Sequence, residues 1–192
     1  MNNKISFIKI LRSISEFPDD QIEKIFEISH LRNIPKHECY IREGEVPVNF
    51  AFVISGLFRY CYIDSKGNEF TKGFFPENSF ISSYSALIQR RESYFTVEAL
   101  EDSSILDINY SEWKKLFEKE LCWHKFLISL LEKGYCTKET REREFLLLSA
   151  EERYRSFLST YPGICKRIKQ NVVASYLGIT PVALSRIRKK VS

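Results

Sequence analysis

The chain has 192 residues, a mass of 22.6 kDa, 29 Lys and Arg against 25 Asp and Glu, and a formal net charge of +4. A hydrophobic share of 44% excludes a globally disordered chain, and the 7 Gly and 6 Pro exclude collagen-like or low-complexity sequence. The charge is unevenly distributed, because residues 150–192 carry +7 and residues 1–149 carry −3. This asymmetry predicts that the basic end binds a polyanion. The basic residues of that end are Arg153, Arg155, Lys166, Arg167, Lys169, Arg186, Arg188, Lys189 and Lys190.

The cysteine pattern and the absence of long apolar runs predict a cytoplasmic protein. The five cysteines are scattered and include no CxxC pair, which is unlike a disulfide framework and indicates free thiols in a reducing compartment. The first residues resemble no signal peptide, and no run of 18 apolar residues occurs, so we expect no membrane span. The cysteines are Cys39, Cys61, Cys122, Cys136 and Cys165.

Two zones of different periodicity make up the first half of the chain. Residues 4–30 have helical spacing with a break at 17–20, where an aspartate is expected to cap a second helix. Residues 31–109 change to short strands with turn signals between them, including a hairpin turn at 64–68. Many short strands of this kind predict a β-roll of the jelly-roll type. The expected strands are 50–54, 57–63, 69–75, 94–99 and 105–108.

Residues 110–192 are predicted to be helical. A short helix surrounds Trp113, and a longer one covers about 121–147, which is roughly 40 Å at 1.5 Å per residue. A helix of that length is hard to bury within a chain this small, so we expect it to pair with a second copy. Packing onto the protein's own β-domain is the alternative. The apolar positions are Leu121, Trp123, Phe126, Leu127, Leu130, Leu131, Tyr135 and Phe145.

The second half of this helical zone predicts a helix-turn-helix. Ser149 and Glu152 form a capping box that begins a helix ending at 161–163. Gly178 is expected to end the following helix in the left-handed conformation, and Thr180 then caps a last helix with Pro181 as its first residue. The residues expected to face inward are Val173, Ala174, Leu177, Ile179, Leu184 and Ile187.

The outer face of the last helix is the candidate DNA-binding site. The N-terminal end of such a helix enters the major groove, where Arg186 can donate two hydrogen bonds to guanine and the basic cluster can bind phosphates. An ordinary helical hairpin with a solvated basic face is the alternative. The predicted DNA-binding residues are Thr180, Pro181, Val182, Ser185, Arg186, Arg188, Lys189 and Lys190.

This order of parts resembles the CRP/FNR family of bacterial transcription regulators. The segments 44–45, 50–56, 64–68 and 98–102 are similar to its cyclic-nucleotide-binding-like domain, and 174–181 with 184–187 to its DNA-reading motif. The resemblance implies an α+β fold with units at 1–120 (N-terminal helices and β-roll), 121–148 (dimerisation helix) and 149–192 (helix-turn-helix). It further implies a homodimer on a palindromic operator, a small-molecule effector in the β-roll, and RNA polymerase as a further partner. We expect a helix-turn-helix without a β-wing, because the chain ends after the second helix.

The candidate effector pocket departs from the cyclic-AMP-binding members. Their Gly-Glu pair falls here at Ser82 and Ser83, and their Arg-Ser pair falls near Ser93 and Tyr94. Loss of the arginine removes a charge-assisted hydrogen bond to phosphate, so we expect an effector other than cyclic AMP. Neighbouring aromatic residues, Phe74 and Tyr84 among them, suit an apolar or aromatic ligand. The predicted pocket is Phe75, Ser82, Ser83, Arg90, Arg91, Ser93 and Tyr94.

Rival functions have less support in the sequence. A cupin-type enzyme needs clustered metal ligands within the strands, whereas His30, His37 and His124 fall outside the central strands. No nucleophile triad, P-loop or dinucleotide fingerprint occurs, and no cysteine precedes Cys39 to hold an iron–sulfur cluster, so we expect neither an enzyme nor a cofactor or metal. The remaining alternative is a ligand-sensing or protein-interaction module that does not regulate DNA.

Overall fold

A computed structural model describes residues 2–191 of the chain. Met1 and Ser192, the outer ends of the predicted first and third units, lie outside the described residues. Two four-stranded antiparallel sheets pack face to face: the first has the strand order β1-β8-β3-β6 and the second β2-β7-β4-β5. The strands are β1 (Ser29–Ile34), β2 (Cys39–Ile41), β3 (Asn49–Ser55), β4 (Phe58–Ile63), β5 (Glu69–Phe75), β6 (Phe80–Ile81), β7 (Thr96–Ala99) and β8 (Ser103–Asn109).

Helices precede the sheets, interrupt them once and follow them. None of the helices within residues 2–191 is long and apolar enough to cross a membrane. A 3₁₀ turn, Ile164–Lys166, separates the sixth helix from the seventh. The helices are α1 (Asn2–Ile14), α2 (Asp19–Glu27), α3 (Tyr84–Gln89), α4 (Tyr110–Phe117), α5 (Leu121–Leu147), α6 (Ala150–Thr160), α7 (Gln170–Leu177) and α8 (Pro181–Val191).

The β-roll has an apolar core between its two sheets. Strand residues alternate between faces, so every second side chain of β4, β7 and β8 points into the roll. The inward side chains of both sheets form one buried cluster that includes Phe58, Tyr60, Val97 and Ile105. This arrangement confirms the predicted β-roll and places its interior between β3 and β4.

A second apolar cluster joins the outer face of the first sheet to the helices on that side. Phe7 of α1, Phe52 of β3 and Trp123 of α5 are almost completely buried in it. The indole N–H of Trp123 donates to the Gln21 side chain of α2 at 3.1 Å, so this buried polar group has a partner. The first half of α5 therefore packs onto the protein's own β-roll, whereas the sequence favoured a second copy along the whole helix.

The second half of α5 leaves the rest of the chain. Cys122, Trp123 and Phe126 are buried, whereas residues 131–140 are all exposed. The apolar positions predicted for one seam thus divide between two faces. Trp123 and Phe126 face the β-roll, while the exposed set comprises Leu121, Leu131, Tyr135 and Phe145, joined by Ile128.

Several local predictions at the start of the chain are wrong. The residue that caps α2 is Pro18, with no side-chain cap bond, and Asp19 begins the helix. The aspartates stabilise its first turn instead, because carboxylates there interact favourably with the helix dipole. The predicted helical zone also extends too far, since β1 begins at Ser29. That strand lies at the edge of the first sheet and is largely exposed, so its sequence lacks the apolar alternation of a half-buried strand.

Candidate nucleic-acid interface and sensor core

The turn between α7 and α8 has the predicted geometry. Gly178 ends α7 with φ of +67°, in the left-handed region that glycine adopts at little cost. The hydroxyl oxygen of Thr180 accepts the N–H of Ala183 at 3.2 Å and so caps α8, whose first residue is Pro181. Ala174 and Leu184 are fully buried where the two helices meet. These contacts hold α8 at a set angle to α7, as a helix-turn-helix requires.

Both the backbone conformation and the space around it restrict position 178 to glycine. A Cβ atom at this position would lie 2.9 Å from the Phe145 ring of α5. The end of the long helix therefore packs directly against the turn, and the side chain of Phe145 remains only partly covered. The turn between α7 and α8 is thereby in contact with α5.

The outer face of α8 is exposed along its length. Leu184 alone is buried among the described residues of this helix, while Ile187 and Val191 pack against the edge of the core. Arg188 is the one member of the predicted site that points partly inward, because it is half-buried beside Tyr154 and Cys165. The exposed members of the predicted site are Thr180, Pro181, Val182, Ser185, Arg186, Lys189 and Lys190.

Helix α7 is bonded to the edge strand β5 of the second sheet. The N–H of Thr71 donates to the Ser175 hydroxyl at 2.8 Å, and this hydroxyl donates to the Glu69 carbonyl at 2.7 Å. Edge strands present unpaired N–H and C=O groups, and here one serine side chain satisfies one of each. Ser175 is not among the predicted functional residues, since its partners lie over 100 positions earlier in the chain.

Arg141 of α5 joins three elements at one point. Its guanidinium donates to the Tyr176 carbonyl of α7 at 2.6 Å and to the Thr71 carbonyl of β5 at 3.3 Å. The same group lies 3.6 Å from the centroid of the Tyr176 ring. Burial lowers the pKa of Arg141, so the charge is held in partly desolvated surroundings. This residue lies in the polar stretch of α5, and nothing in the local pattern marks it.

A third contact between the β-roll and the C-terminal helices is ionic. Arg167 donates to the Glu77 carboxylate at 2.7 and 3.0 Å, and it also binds Glu101. Partial burial raises the pKa of Glu77, but the bonds from Arg167 and from the Gly56 N–H outweigh it and hold that pKa below its usual value of 4.5. Arg167 is therefore one of the basic residues of the C-terminal segment whose charge is already balanced within the chain.

An apolar cluster completes this junction. Leu57, Phe74 and Leu100 of the β-roll pack in one cluster with Phe157 of α6 and Tyr176 of α7. The sequence predicts Phe74 near the effector pocket, but this side chain lies on the opposite face of β5. The C-terminal helices and the second sheet therefore share a continuous core. Helix α8 packs on this core with its inner face and turns its outer face to solvent.

The interior of the roll at the predicted effector pocket is filled by aromatic rings. Tyr60 stacks between Phe75 at 3.9 Å and Phe95 at 4.8 Å. The Tyr60 hydroxyl donates to the Ser82 carbonyl at 3.0 Å and accepts the Ser82 N–H at 2.8 Å. The ammonium group of Lys72 lies 4.4 Å from the Phe95 ring. Sequence reasoning missed Tyr60, whose role becomes visible only when β4, β5 and the 82–95 segment meet.

The other predicted pocket residues divide between the roll and its surface. Ser83 is buried with its hydroxyl unpartnered, and Ser93 donates to the Phe95 carbonyl at 2.7 Å. Arg90, Arg91 and Tyr94 are exposed, and Arg91 stacks on the Tyr94 ring at 4.9 Å. The structure therefore brings Phe75 and Ser82 together around Tyr60 and leaves both arginines outside. Within residues 2–191, no three His, Cys, Asp or Glu side chains cluster closely enough to hold a metal ion.

Comparisons with known proteins agree with this architecture. Residues 31–120 match the family model of the cyclic nucleotide-binding domain. No curated protein matches the chain in sequence. Among solved structures, FixK2 from Bradyrhizobium japonicum has a TM-score of 0.76 at 18% identity, with 85% of this chain and 84% of that chain covered.

Two further structures cover more of this chain. The c-di-GMP-responsive global regulator CLP from Xanthomonas campestris has a TM-score of 0.73 at 18% identity, with 91% of each chain covered. A putative transcriptional regulator of the CRP/FNR family from Eubacterium rectale has a TM-score of 0.72 at 18% identity, with 91% of this chain and 83% of that chain covered. These likenesses confirm the predicted resemblance: residues 31–120 match the cyclic nucleotide-binding domain, and the chain has the fold of the CRP/FNR family of transcription regulators.

Proposed function

We propose that this protein is a DNA-binding transcription regulator, with no catalytic role, that reads the major groove with the outer face of α8. One observation carries the proposal: α8 is fixed on one side by the buried Leu184 and presents an exposed, acid-free face on the other. A helix held in this way by a preceding helix is the element that helix-turn-helix proteins insert into DNA. Arg186 supplies base recognition, and Lys189 and Lys190 supply contacts to phosphate.

The test of DNA binding uses sequences selected from a random duplex pool by the full-length protein. We expect a recurring half-site and an affinity that falls steeply as salt rises, because phosphate contacts release counterions. Arg186→Ala should lose about 10- to 100-fold in affinity for the selected site. Arg143→Ala is the matched control, since Arg143 is an exposed arginine of α5 and is not part of the outer face of α8. No enrichment, or equal binding by both variants, contradicts the proposal and favours a sensing or protein-interaction module.

The second half of α5 supports a homodimer. Residues 131–140 are exposed on all sides, and Leu131 and Tyr135 are 44% and 67% exposed. A second copy offers the same apolar seam, and pairing two such helices buries both. The two α8 helices of a dimer would then read two-fold-related half-sites about one DNA turn, roughly 34 Å, apart.

Light scattering at micromolar concentration tests the dimer directly. We expect about 45 kDa, twice the chain mass of 22.6 kDa. Tyr135→Glu should give the monomer mass without unfolding the chain, because this side chain is exposed. A monomer mass for the unaltered protein overturns the assignment of α5 as the dimer interface.

The β-roll is proposed to bind a small effector other than cyclic AMP. The Tyr60 ring and its two stacked neighbours occupy the roll interior, and Arg90 and Arg91 lie outside it. A cyclic phosphate would therefore meet neither arginine in the roll, and Lys72, whose ammonium group already lies 4.4 Å from the Phe95 ring, cannot supply the two-pronged hydrogen bonds of a guanidinium. Calorimetric titration with cyclic AMP should give no binding heat, whereas micromolar binding would refute this part of the proposal. Mass spectrometry of small molecules retained by the native protein identifies the candidates.

A further inference from the structure

The exposed face of α8 has an apolar tip followed by a basic half. Val182 is 62% exposed in the first turn, beside the exposed ring of Pro181. Isolated exposed valines are ordinary on protein surfaces. Val182 differs because it lies on the face that points away from the core of the helix-turn-helix, one turn before Arg186. The helix PVALSRIRKKV contains no acidic residue.

The spacing of these two side chains is set by the helix. Residues four apart lie on one face and are separated by about 6 Å along the axis. Base pairs follow one another at about 3.4 Å, so two such side chains span about two base-pair steps. Val182 and Arg186 thus face neighbouring or next-but-one base pairs when α8 lies in the major groove.

The chemistry of the two side chains then limits the bases. The thymine methyl is the one apolar group on the edges of the four bases in the major groove, and Arg pairs best with the O6 and N7 of guanine. Asp and Glu are the side chains that pair best with the amino group of cytosine, and α8 supplies neither. The hydroxyl oxygen of Thr180 accepts from Ala183, and the two residues that follow it, Pro181 and Val182, are the exposed apolar side chains at the tip of the helix.

We propose that the half-site contains a thymine whose methyl packs against Val182, within about two base pairs of a guanine read by Arg186. This inference rests on the proposed DNA-binding function and adds the identity of the bases. It assigns specificity to an apolar contact at the N-terminal tip of α8, where polar reading would otherwise be expected.

Substitution of deoxyuridine for thymine tests the contact, because it removes the methyl and leaves the base pairing intact. Each thymine of the selected half-site is replaced in turn, and binding is measured with the full-length protein. We expect one position at which the loss is about fourfold, the effect of one buried methyl. Val182→Ala should weaken binding to the thymine site and abolish the deoxyuridine effect at that position alone, whereas Val182→Thr, which keeps one methyl, should retain part of it.

The controls separate failure of the inference from failure of the proposed function. Val48→Ala removes an equally exposed valine from the β-roll, 63% exposed, and should leave all binding unchanged. Replacement of guanine by 7-deazaguanine should weaken the unaltered protein but not Arg186→Ala. If specific binding and the Arg186 effect hold, while deoxyuridine costs nothing or its effect survives Val182→Ala, the thymine contact is wrong. If no duplex is bound specifically, the DNA-binding proposal fails, and the base assignment fails with it.

Discussion

Replacement of Arg141 by alanine gives a direct measure of how firmly helix α7 is held on the β-roll. The guanidinium bonds the Tyr176 carbonyl of α7 and the Thr71 carbonyl of β5, and it stacks on the Tyr176 ring. Alanine removes all of these interactions while α5 remains a good helix, because alanine has the highest helix propensity. The change therefore acts on the junction rather than on the helix that carries it.

The size of the effect follows from the hydrogen bonds and the ring stacking that alanine cannot make. A hydrogen bond from a charged donor contributes about 1.5–3 kcal/mol, and a cation–π contact at a partly exposed site adds about 0.5–1 kcal/mol. The cost of partly desolvating the guanidinium, which also lowers the pKa of Arg141, offsets a share of this. We expect the free energy of unfolding to fall by about 2–3 kcal/mol, which lowers the urea midpoint by about 1 M.

Urea unfolding at one fixed protein concentration measures this change, since a dimer's midpoint depends on concentration. Arg143→Ala is the matched control on the same helix, and it should stay within about 0.5 kcal/mol of the unaltered protein. Limited proteolysis should also release the C-terminal helices faster from Arg141→Ala. Equal midpoints for the two variants would refute the assignment of Arg141 as a residue that joins the three elements.

Three further outcomes test neighbouring contacts. The stability that Glu77 contributes should be complete above pH 4.5 and should be lost as pH falls through its lower folded pKa. The urea midpoint of Arg167→Gln should therefore depend less on pH in this range than that of the unaltered protein, and an equal dependence would contradict the role of this ion pair. Ser175→Ala should lower the free energy of unfolding by about 1–2 kcal/mol, against less than about 0.5 kcal/mol for Ser185→Ala on the exposed face of α8. Gly178→Ala should lower the melting temperature, because the added Cβ meets Phe145 at 2.9 Å in a left-handed backbone, and an unchanged value would argue against this packing.

The turn between α7 and α8 shows what local sequence signals predict well. Gly178, Thr180 and Pro181 act through their own backbone and the next turn, so their roles need no distant partner. The capping box of Ser149 and Glu152 is of the same kind, and the structure confirms it. The predicted bounds of α5 and β5 are likewise correct, and β5 has clear breakers at its ends, Gly67 and Asn68 before it and Pro76 after it.

Elements with weak local patterns escape sequence-based prediction. Strands β1, β2 and β6 and the short helix α3 are missed, because the strands are short or exposed and α3 has only six residues. Strand β1, for example, is placed in the sheet by its pairing with β8, which lies about 70 positions later in the chain. Backbone bonding between distant segments, rather than side-chain periodicity, decides such elements.

The amino-acid sequence by itself determined the roll, the long helix and the last helix, α8, because periodicity, caps and turn residues act over a few positions. Tertiary structure decided how these parts meet. Phe74 and Phe75 are neighbours in sequence, yet one joins the C-terminal helices and the other stacks on Tyr60, since successive strand residues face opposite sides. Ser175 and Arg141 acquire their roles in the same way, from partners that only the folded chain brings within hydrogen-bond distance.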